Sequence, residues 1–475
     1  MNTMPEPCRL AKKEVMALAT QLRESITRRL AGDAGFARRE ASYLAVSNEV
    51  VRLALQADLQ QIADGYEDQL LIDGVRYKKH EPGSVDYHSL VGPLQSRRYT
   101  YRPVGERNGA TVVPLELEAG LVERATPALA FDVLQGYAKD DMRSHREDLI
   151  SAHRRPPSRS TMERLAQRLG DAARRHAPRI EAYVRRDEPL PEGACAASLG
   201  LDRVAVPMEE PRPVDASPRP VNRKKPYVRT PPAPVEVNYR MAYVGTVTLL
   251  NEQGDTLATR KYAIPAGDDP AAGLVGKMAA DVRTLHRRTP SLTVGVVQDG
   301  APELWNLMRD GLQPPDGVKV EEAIDRCHLM ERLGKAVALV EPDPAQRQAL
   351  LKQWKLHFDI SDSAIDWVEH YLIERKPGVA AGDTEAFDDH LTYIRRNKDR
   401  MRYVTLRSTG LPVGSGATEG SCKSLVAKRA RGGGQRWHEH GLRNALFLRA
   451  LYQSERLPHY WSHLARRYIA KVART

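Results

Sequence analysis

Apolar side chains recur at three- and four-residue spacing through residues 11–30 and 41–66, and neither stretch contains proline, so both are predicted helices. The texture changes across 85–117. There SRRYTYRPV and ATVVPLEL alternate on a two-residue period and flank ERNGA, whose Asn108-Gly109 pair is a strong hairpin signal. One strand of this small β element is basic (Arg97, Arg98, Arg102). Three helices are predicted next, at 127–138, 140–153 and 159–172. Thr126 before Pro127 marks the first start, RRPPS ends the second helix, and Ser160 with Glu163 has capping-box spacing for the third.

After a linker at 185–194 (RRDEPLPEGA), the periodicity becomes that of a mixed sheet. ASLGLDRVAVPM is a buried-strand candidate with Asp202 in its middle. Residues 207–234 read as an irregular, proline-rich insert with a basic patch at Arg223, Lys224, Lys225 and Arg229. Two strands, YRMAYVGTVTLL and TLATRKYAI, are joined by the turn NEQGD. A helix at 271–288, the parallel-type strand LTVGVVQDG, the helix APELWNLMRDGL and a strand passing into a helix (VKVEEAIDRCHLMERLGKAV) follow. Residues 346–401 read as helical, and a last helix covers 439–454. No internal repeat is present.

Length and charge narrow the function classes. A chain of 475 residues exceeds one compact core, so two to four domains are expected. Lys and Arg number 72 against 61 Asp and Glu, a net charge of +11, which favours a polyanionic partner, nucleic acid before membrane. No apolar run approaches the ~20 residues of a membrane span. The first residues, MNTMPEPCRLAKKEV, lack the apolar core of a signal peptide, so a cytoplasmic address is the expectation. The four cysteines are far apart with no CxxC, which disfavours a disulfide framework and a structural zinc site.

The candidate chemistry gathers around LPVGSGATEGSCKSLVAKRARGGGQRWHEHG. Glu419 stands there between a glycine-rich approach and the cations Lys423, Lys428, Arg429, Arg431 and Arg436. A carboxylate placed where phosphates lie repels them unless a divalent cation intervenes. The alternative is a helix start whose Glu favours the N-terminal dipole, with a solvated basic face beyond it. Asp299 closes LTVGVVQDG at the end where such sheets place ligands, or else it serves only as an N-cap for the next helix. Together with Asp202, these acids suit two Mg²⁺ ions ~3.5–4 Å apart at an in-line displacement on phosphorus. GATEGSCKS does not match the phosphate-loop pattern, and GSGA lacks the G-x-S-x-G elbow, so nucleotide binding and serine-hydrolase chemistry are disfavoured.

Three segments, VVQDGAPELW, IDRCHLMERL and PVGSGATEGSCKSLVAKRARGGGQRW, resemble the DDE-type transposases of bacterial insertion sequences, closest to the ISKra-like group. The resemblance spans 126–449. It implies a multidomain α/β chain in which a helical and small-β DNA-binding region precedes an RNase H-like mixed sheet flanked by helices, with an α-helical insertion. The corresponding parts are a helical region at 1–84, the β element at 85–125, a helix-turn-helix-like domain at 126–184 and the linker at 185–194. The first part of the core follows at 195–330, the insertion at 331–410, and the last part with C-terminal helices at 411–475.

The resemblance further implies that Asp202, Asp299 and Glu419 are the catalytic acids and ligands of two Mg²⁺ ions, with Mn²⁺ as substitute. LGLDRVAVPM departs from the family in one respect: Arg203 stands where glycine usually follows the first aspartate. Asp255, in the NEQGD turn, is the competing first acid. Asp325 and His328 are either auxiliary groups near the site or a core histidine with its hydrogen-bonded carboxylate. DNA contacts are expected from Lys423, Lys428, Arg429, Arg431, Arg436 and Trp437, from Arg159 and Arg164 on a major-groove helix, and from Arg223, Lys224 and Lys225. Trp305 and Trp437 read first as core residues, with Trp437 the better base-stacking candidate. The implied partners are double-stranded DNA at transposon ends and target, and a homodimer or larger assembly, in a bacterial cytoplasm near the nucleoid. The alternatives are a nuclease or resolvase without strand transfer, and an inactive DNA-binding descendant.

Overall fold

A computed structural model describes residues 11–30, 35–211, 235–265, 267, 270–314 and 317–474. The chain divides into two compact units, one of residues 1–184 with 455–475 and the other of residues 185–454. Among the described residues no helix is long and apolar enough to cross a membrane.

The first unit begins with helices α1 (Lys12–Arg29) and α2 (Phe36–Asp64). A sheet follows, made of β1 (Gln69–Ile72), β2 (Val75–Ser89) and β3 (Gly92–Pro103) and completed by β9 (Val472–Arg474) in the order β3-β2-β1-β9. The strands bury Leu70, Ile72, Tyr87, Leu94 and Tyr101 against Leu59 and Ala63 of α2. The hairpin turns at Leu90–Val91, not at Asn108-Gly109: Ser89 opposes Gly92, whose φ of +119° only glycine adopts without strain. Asn108-Gly109 instead reverses the chain after β3, leaving a single bridge between Tyr101 and Val112. PLELE, expected as strand, is helix α3 (Pro114–Glu118), because proline at its first position presets helical φ.

Helices α4 (Pro127–Lys139), α5 (Met142–Ser151) and α6 (Arg159–Asp187) come next. Thr126 caps α4, with its hydroxyl accepting from the Leu129 amide at 3.4 Å. At α6 the capping residue is Ser158 rather than Ser160, since the Thr161 amide donates to the Ser158 hydroxyl at 3.3 Å. Glu163 pairs with Arg159 at 3.4 Å instead of closing a capping box. The last part of the core, expected to run to residue 475, ends at Ser454. Residues 455–475 belong to the first unit, where β9 pairs with β1.

The second unit is built on a five-stranded mixed sheet in the order β6-β5-β4-β7-β8. Strands β4 (Ala196–Pro211), β5 (Val235–Leu250) and β6 (Thr256–Pro265) form an antiparallel meander. β7 (Thr293–Gln298) and β8 (Val320–Ile324) run parallel to β4 and to each other. The connections are helices α7 (Pro270–Arg288) and α8 (Pro302–Leu312). On α7, Leu274, Val275, Met278, Val282 and Leu285 recur at helical spacing and fill one face of the sheet. The expected insert at 207–234 is strand as far as Pro211, which pairs with Val235. Its basic patch of Arg223, Lys224, Lys225 and Arg229 lies outside the described residues.

A helical insertion then follows. It comprises α9 (Arg326–Ala338), α10 (Pro344–Ile360), α11 (Ala364–Arg375), α12 (Thr384–Asn397) and α13 (Tyr403–Ser408). Its core joins that of the sheet through Phe358, Phe387, Ile394 and Tyr403. The chain returns as α14 (Gly416–Ser421), winds through a π-helical turn (Cys422–Ala427) into α15 (Lys428–Ala430), and ends the unit with α16 (Glu439–Gln453). Leu425, Val426, Leu442 and Leu446 of this return cover Val206, Met208, Ala242 and Val244 on the sheet's second face.

Candidate active site

The register of the two central parallel strands sets up the site. Leu199 of β4 lies opposite Val296 of β7, and one-to-one pairing runs back from there to Ala196 and Thr293. Asp202 lies three residues beyond the paired Leu199, and Asp299 three beyond Val296 and one past the end of β7, so both acids follow the paired segment in the same direction. Strand alternation sends Leu199 and Leu201 into the core under α7, and puts Gly200 and Asp202 on the second face. Both carboxylates are half-buried, and neither makes an ion pair among the described residues. Asp202 Oδ1 accepts from the Arg203 amide at 2.7 Å. Asp299 Oδ1 accepts from the Ala301 amide at 2.9 Å, and its carbonyl accepts from the Trp305 indole at 2.7 Å. Ala301, not Asp299, is the N-cap of α8.

Glu419 enters on α14, which crosses the same face. Thr418 is buried there, and its hydroxyl is 2.7 Å from that of Thr246. The fit depends on Gly200: a Cβ at that position would stand 2.1 Å from Thr418 Oγ1 and 3.1 Å from the Val297 carbonyl. One turn on, Cys422 places its thiol 3.3 Å from Asp202 Oδ2. Burial pushes the Cys422 thiol well up, and the charges of Asp202 and Glu419 push it the same way, so it stays a neutral donor. Glu419 itself is exposed and holds Lys423 at 2.7 Å. Asp202 and Glu419 both act on Cys422, and the carboxylate oxygens of Asp202, Asp299 and Glu419 do not all lie within 4.8 Å of one another.

Arg203, which departs from the family pattern, does not compete with Asp202. It points to the opposite face and pairs with Glu303 of α8, which also accepts from the Tyr243 hydroxyl at 2.6 Å. Asp255 fixes its own turn, with its amide donating to Asn251 Oδ1 at 2.8 Å, beyond the end of β5 remote from Val244, the partner of Asp202.

Asp325 and His328 have separate tasks. Asp325 is buried and caps α9 through the His328 amide at 3.0 Å, while accepting from the Ser415 amide and, at 2.7 Å, from the Ser415 hydroxyl. Burial opposes its ionisation, but those bonds outweigh it and hold the carboxyl below its usual range. Asp325 therefore fastens the loop that leads into α14. His328 is no core histidine: its side chain is 45% exposed. It lines a cleft beside Asp299.

The basic residues sort by burial. Lys428 and Arg431 are exposed and make no ion pair among the described residues; Arg436 is exposed, 4.0 Å from Glu209. Arg429 does not belong with them. It is only 6% exposed, and its guanidinium sits 4.8 Å from the centre of the Trp437 ring. The Trp437 backbone pairs with β4, its carbonyl accepting from the Glu209 amide at 2.8 Å, so this Arg-Trp pair packs the second face. Trp305 is core, as its apolar setting suggested. Arg159 and Arg164 are exposed on α6. Sequence reasoning missed Thr418, Cys422 and Tyr393, whose only local signal is helical spacing; their partners are far away in the chain.

The donor types suit a hard divalent cation: two half-buried carboxylates without an ion pair among the described residues, and a third on a helix locked to the same sheet. No family model and no curated protein matches the chain. Among solved structures it is similar to the Drosophila P element transposase strand transfer complex, at 11% identity over 72% of this chain and 83% of that chain, with a TM-score of 0.24.

Proposed function

We propose that the chain is a DNA transposase of the DDE type, with residues 185–454 forming an RNase H-like catalytic core. The observation that supports the reading is that Asp202 and Asp299 both follow the paired segment of parallel strands β4 and β7 in the same direction, while α14, which bears Glu419, is locked onto that sheet through Thr418. The three-strand meander, two parallel strands and helical insertion ahead of the third acid support the same reading.

Asp202, Asp299 and Glu419 would hold two Mg²⁺ ions, which supply charge neutralisation at phosphorus and activation of the attacking oxygen. The protein's own part is to fix geometry. Cys422 and the Arg203 amide orient the Asp202 carboxylate, the Ala301 amide orients that of Asp299, and Asp325 holds the approach to α14. Exposed Lys428, Arg431 and Arg436 would engage backbone phosphates. In the first step a P–O bond at the transposon end is hydrolysed and a 3′-hydroxyl is freed. In the second, that hydroxyl attacks a target phosphodiester, one P–O bond forming as another breaks. Two ends must be joined, so the working species would be a dimer or larger assembly on double-stranded DNA.

The test is nicking of DNA that carries the ends of the encoding element, with Mg²⁺ or Mn²⁺. Loss of nicking in Asp299→Asn and Glu419→Gln supports the reading. Cutting without end joining in a strand-transfer assay would make the chain a nuclease, and end binding that ignores metal would make it a regulator.

A further inference from the structure

The helical insertion carries a cleft that the acid triad does not explain. It opens beside Asp299 and Gly300, between α9 and α12, with a volume of about 590 Å³. Arg332 and Lys335 project into it from α9, and Arg396 from α12. Among the described residues none of the three makes an ion pair, whereas nearby cations are neutralised: Arg326 by Asp359, Arg395 and Lys398 by Glu369, and Arg400 by Glu322. Arg332 stacks 4.8 Å from the centre of the Tyr393 ring, and its buried Nε has no hydrogen-bond partner. Glu331 and Asp389 also line the cleft, so its cations are balanced in number but not paired. Burial holds His390 below its usual range, and the fields of Arg332 and Lys335 act in the same direction, while Asp389 opposes them. Tyr393 closes the floor against Gly300, where an added Cβ would collide with the ring.

We propose that this cleft is a phosphate-backbone subsite, in which Arg332, Lys335 and Arg396 seat the DNA strand next to the phosphodiester presented at Asp299. The assignment rests on the transposase reading for the identity of its ligand. Unpaired cations beside a carboxylate site suit a phosphodiester strand, since each phosphate contact releases condensed counterions.

Metal-free equilibrium binding of a mixed-sequence duplex by the full chain, over a salt series, tests it. Lys335 and Arg396 are exposed, so Lys335→Gln with Arg396→Gln leaves the core intact. This pair should weaken binding by roughly tenfold per side chain near ~0.1 M salt, and flatten the log–log salt slope by about 2. The control pair, Lys352→Gln with Lys355→Gln on the exposed surface of α10, removes equal charge and should change the slope far less. Equal slopes for the two double variants overturn the subsite. Competition by inorganic phosphate at matched ionic strength overturns it as well, because it marks a site for the free anion. Cleavage is not needed for this readout: wild-type protein that binds through the cleft yet never nicks DNA counts against the catalytic reading alone.

Discussion

Cys422 donates its thiol to Asp202 across 3.3 Å, joining the π-helical turn after Glu419 to the strand that carries the first acid. A π turn shifts the helix register by one residue, a device frequent at functional sites. The contact thus couples two acids that lie far apart in sequence. Cys422→Ser keeps a donor and should leave Mn²⁺ affinity within about threefold of wild type, whereas Cys422→Ala should weaken it by about 10-fold or more, as losses of outer-shell partners do. Calorimetric titration of the protein without DNA measures both. Equal affinities for the serine and alanine variants would show that the thiol only fills space.

Gly200 is the seat of α14. Adding a methyl group there drives Thr418 off the strand, and the Val297 carbonyl leaves no room on the other side. Gly200→Ala should cost about 1–3 kcal/mol in urea unfolding, the usual range for overpacking, and should impair nicking more than Gly416→Ala, where an added Cβ meets nothing within 4 Å.

Lys423 competes for the carboxylate that a metal would need, holding Glu419 at 2.7 Å. Lys423→Gln removes the competitor and should lower the Mg²⁺ concentration for half-maximal nicking. A rise in that concentration would instead assign Lys423 to the substrate.

The order of strands and helices in the second unit was legible because buried strands such as LTVGVVQDG and the stripe on α7 announce their periods locally. The turn at NEQGD was legible for the same reason. Asn108-Gly109 misled, since a favourable turn pair cannot choose between a long hairpin and a short reversal when tertiary packing selects the strands. PLELE misled because alternation over five residues does not outweigh proline at a helix start. Within the site, Asp202 and Asp299 were singled out through the family resemblance rather than by their local setting, which for Asp299 suited an N-cap equally. Arg429, by contrast, looked like its exposed neighbours, yet it is buried and stacks on Trp437. The contacts of Cys422 and of Thr418 span 220 and 172 residues, beyond the reach of any local pattern.

Asp325 gives the fold an acid limit. Its carboxyl is held below the ordinary aspartate range in the folded state, so the stability it contributes is complete above that range and is lost as pH falls through the lower folded value. Asp325→Asn should therefore lose about 1–3 kcal/mol at neutral pH, and the gap from wild type should narrow below about pH 4. Chemical unfolding as a function of pH checks this, and a gap that stays constant through the acid range contradicts the role given to Asp325.

The central claim, one metal site shared by Asp202, Asp299 and Glu419, is tested most directly by counting Mn²⁺ bound per chain by electron paramagnetic resonance. Wild-type protein with DNA should bind two ions, and Asp202→Asn, Asp299→Asn and Glu419→Gln should each lose at least one. Binding that is indifferent to all three substitutions would contradict the account.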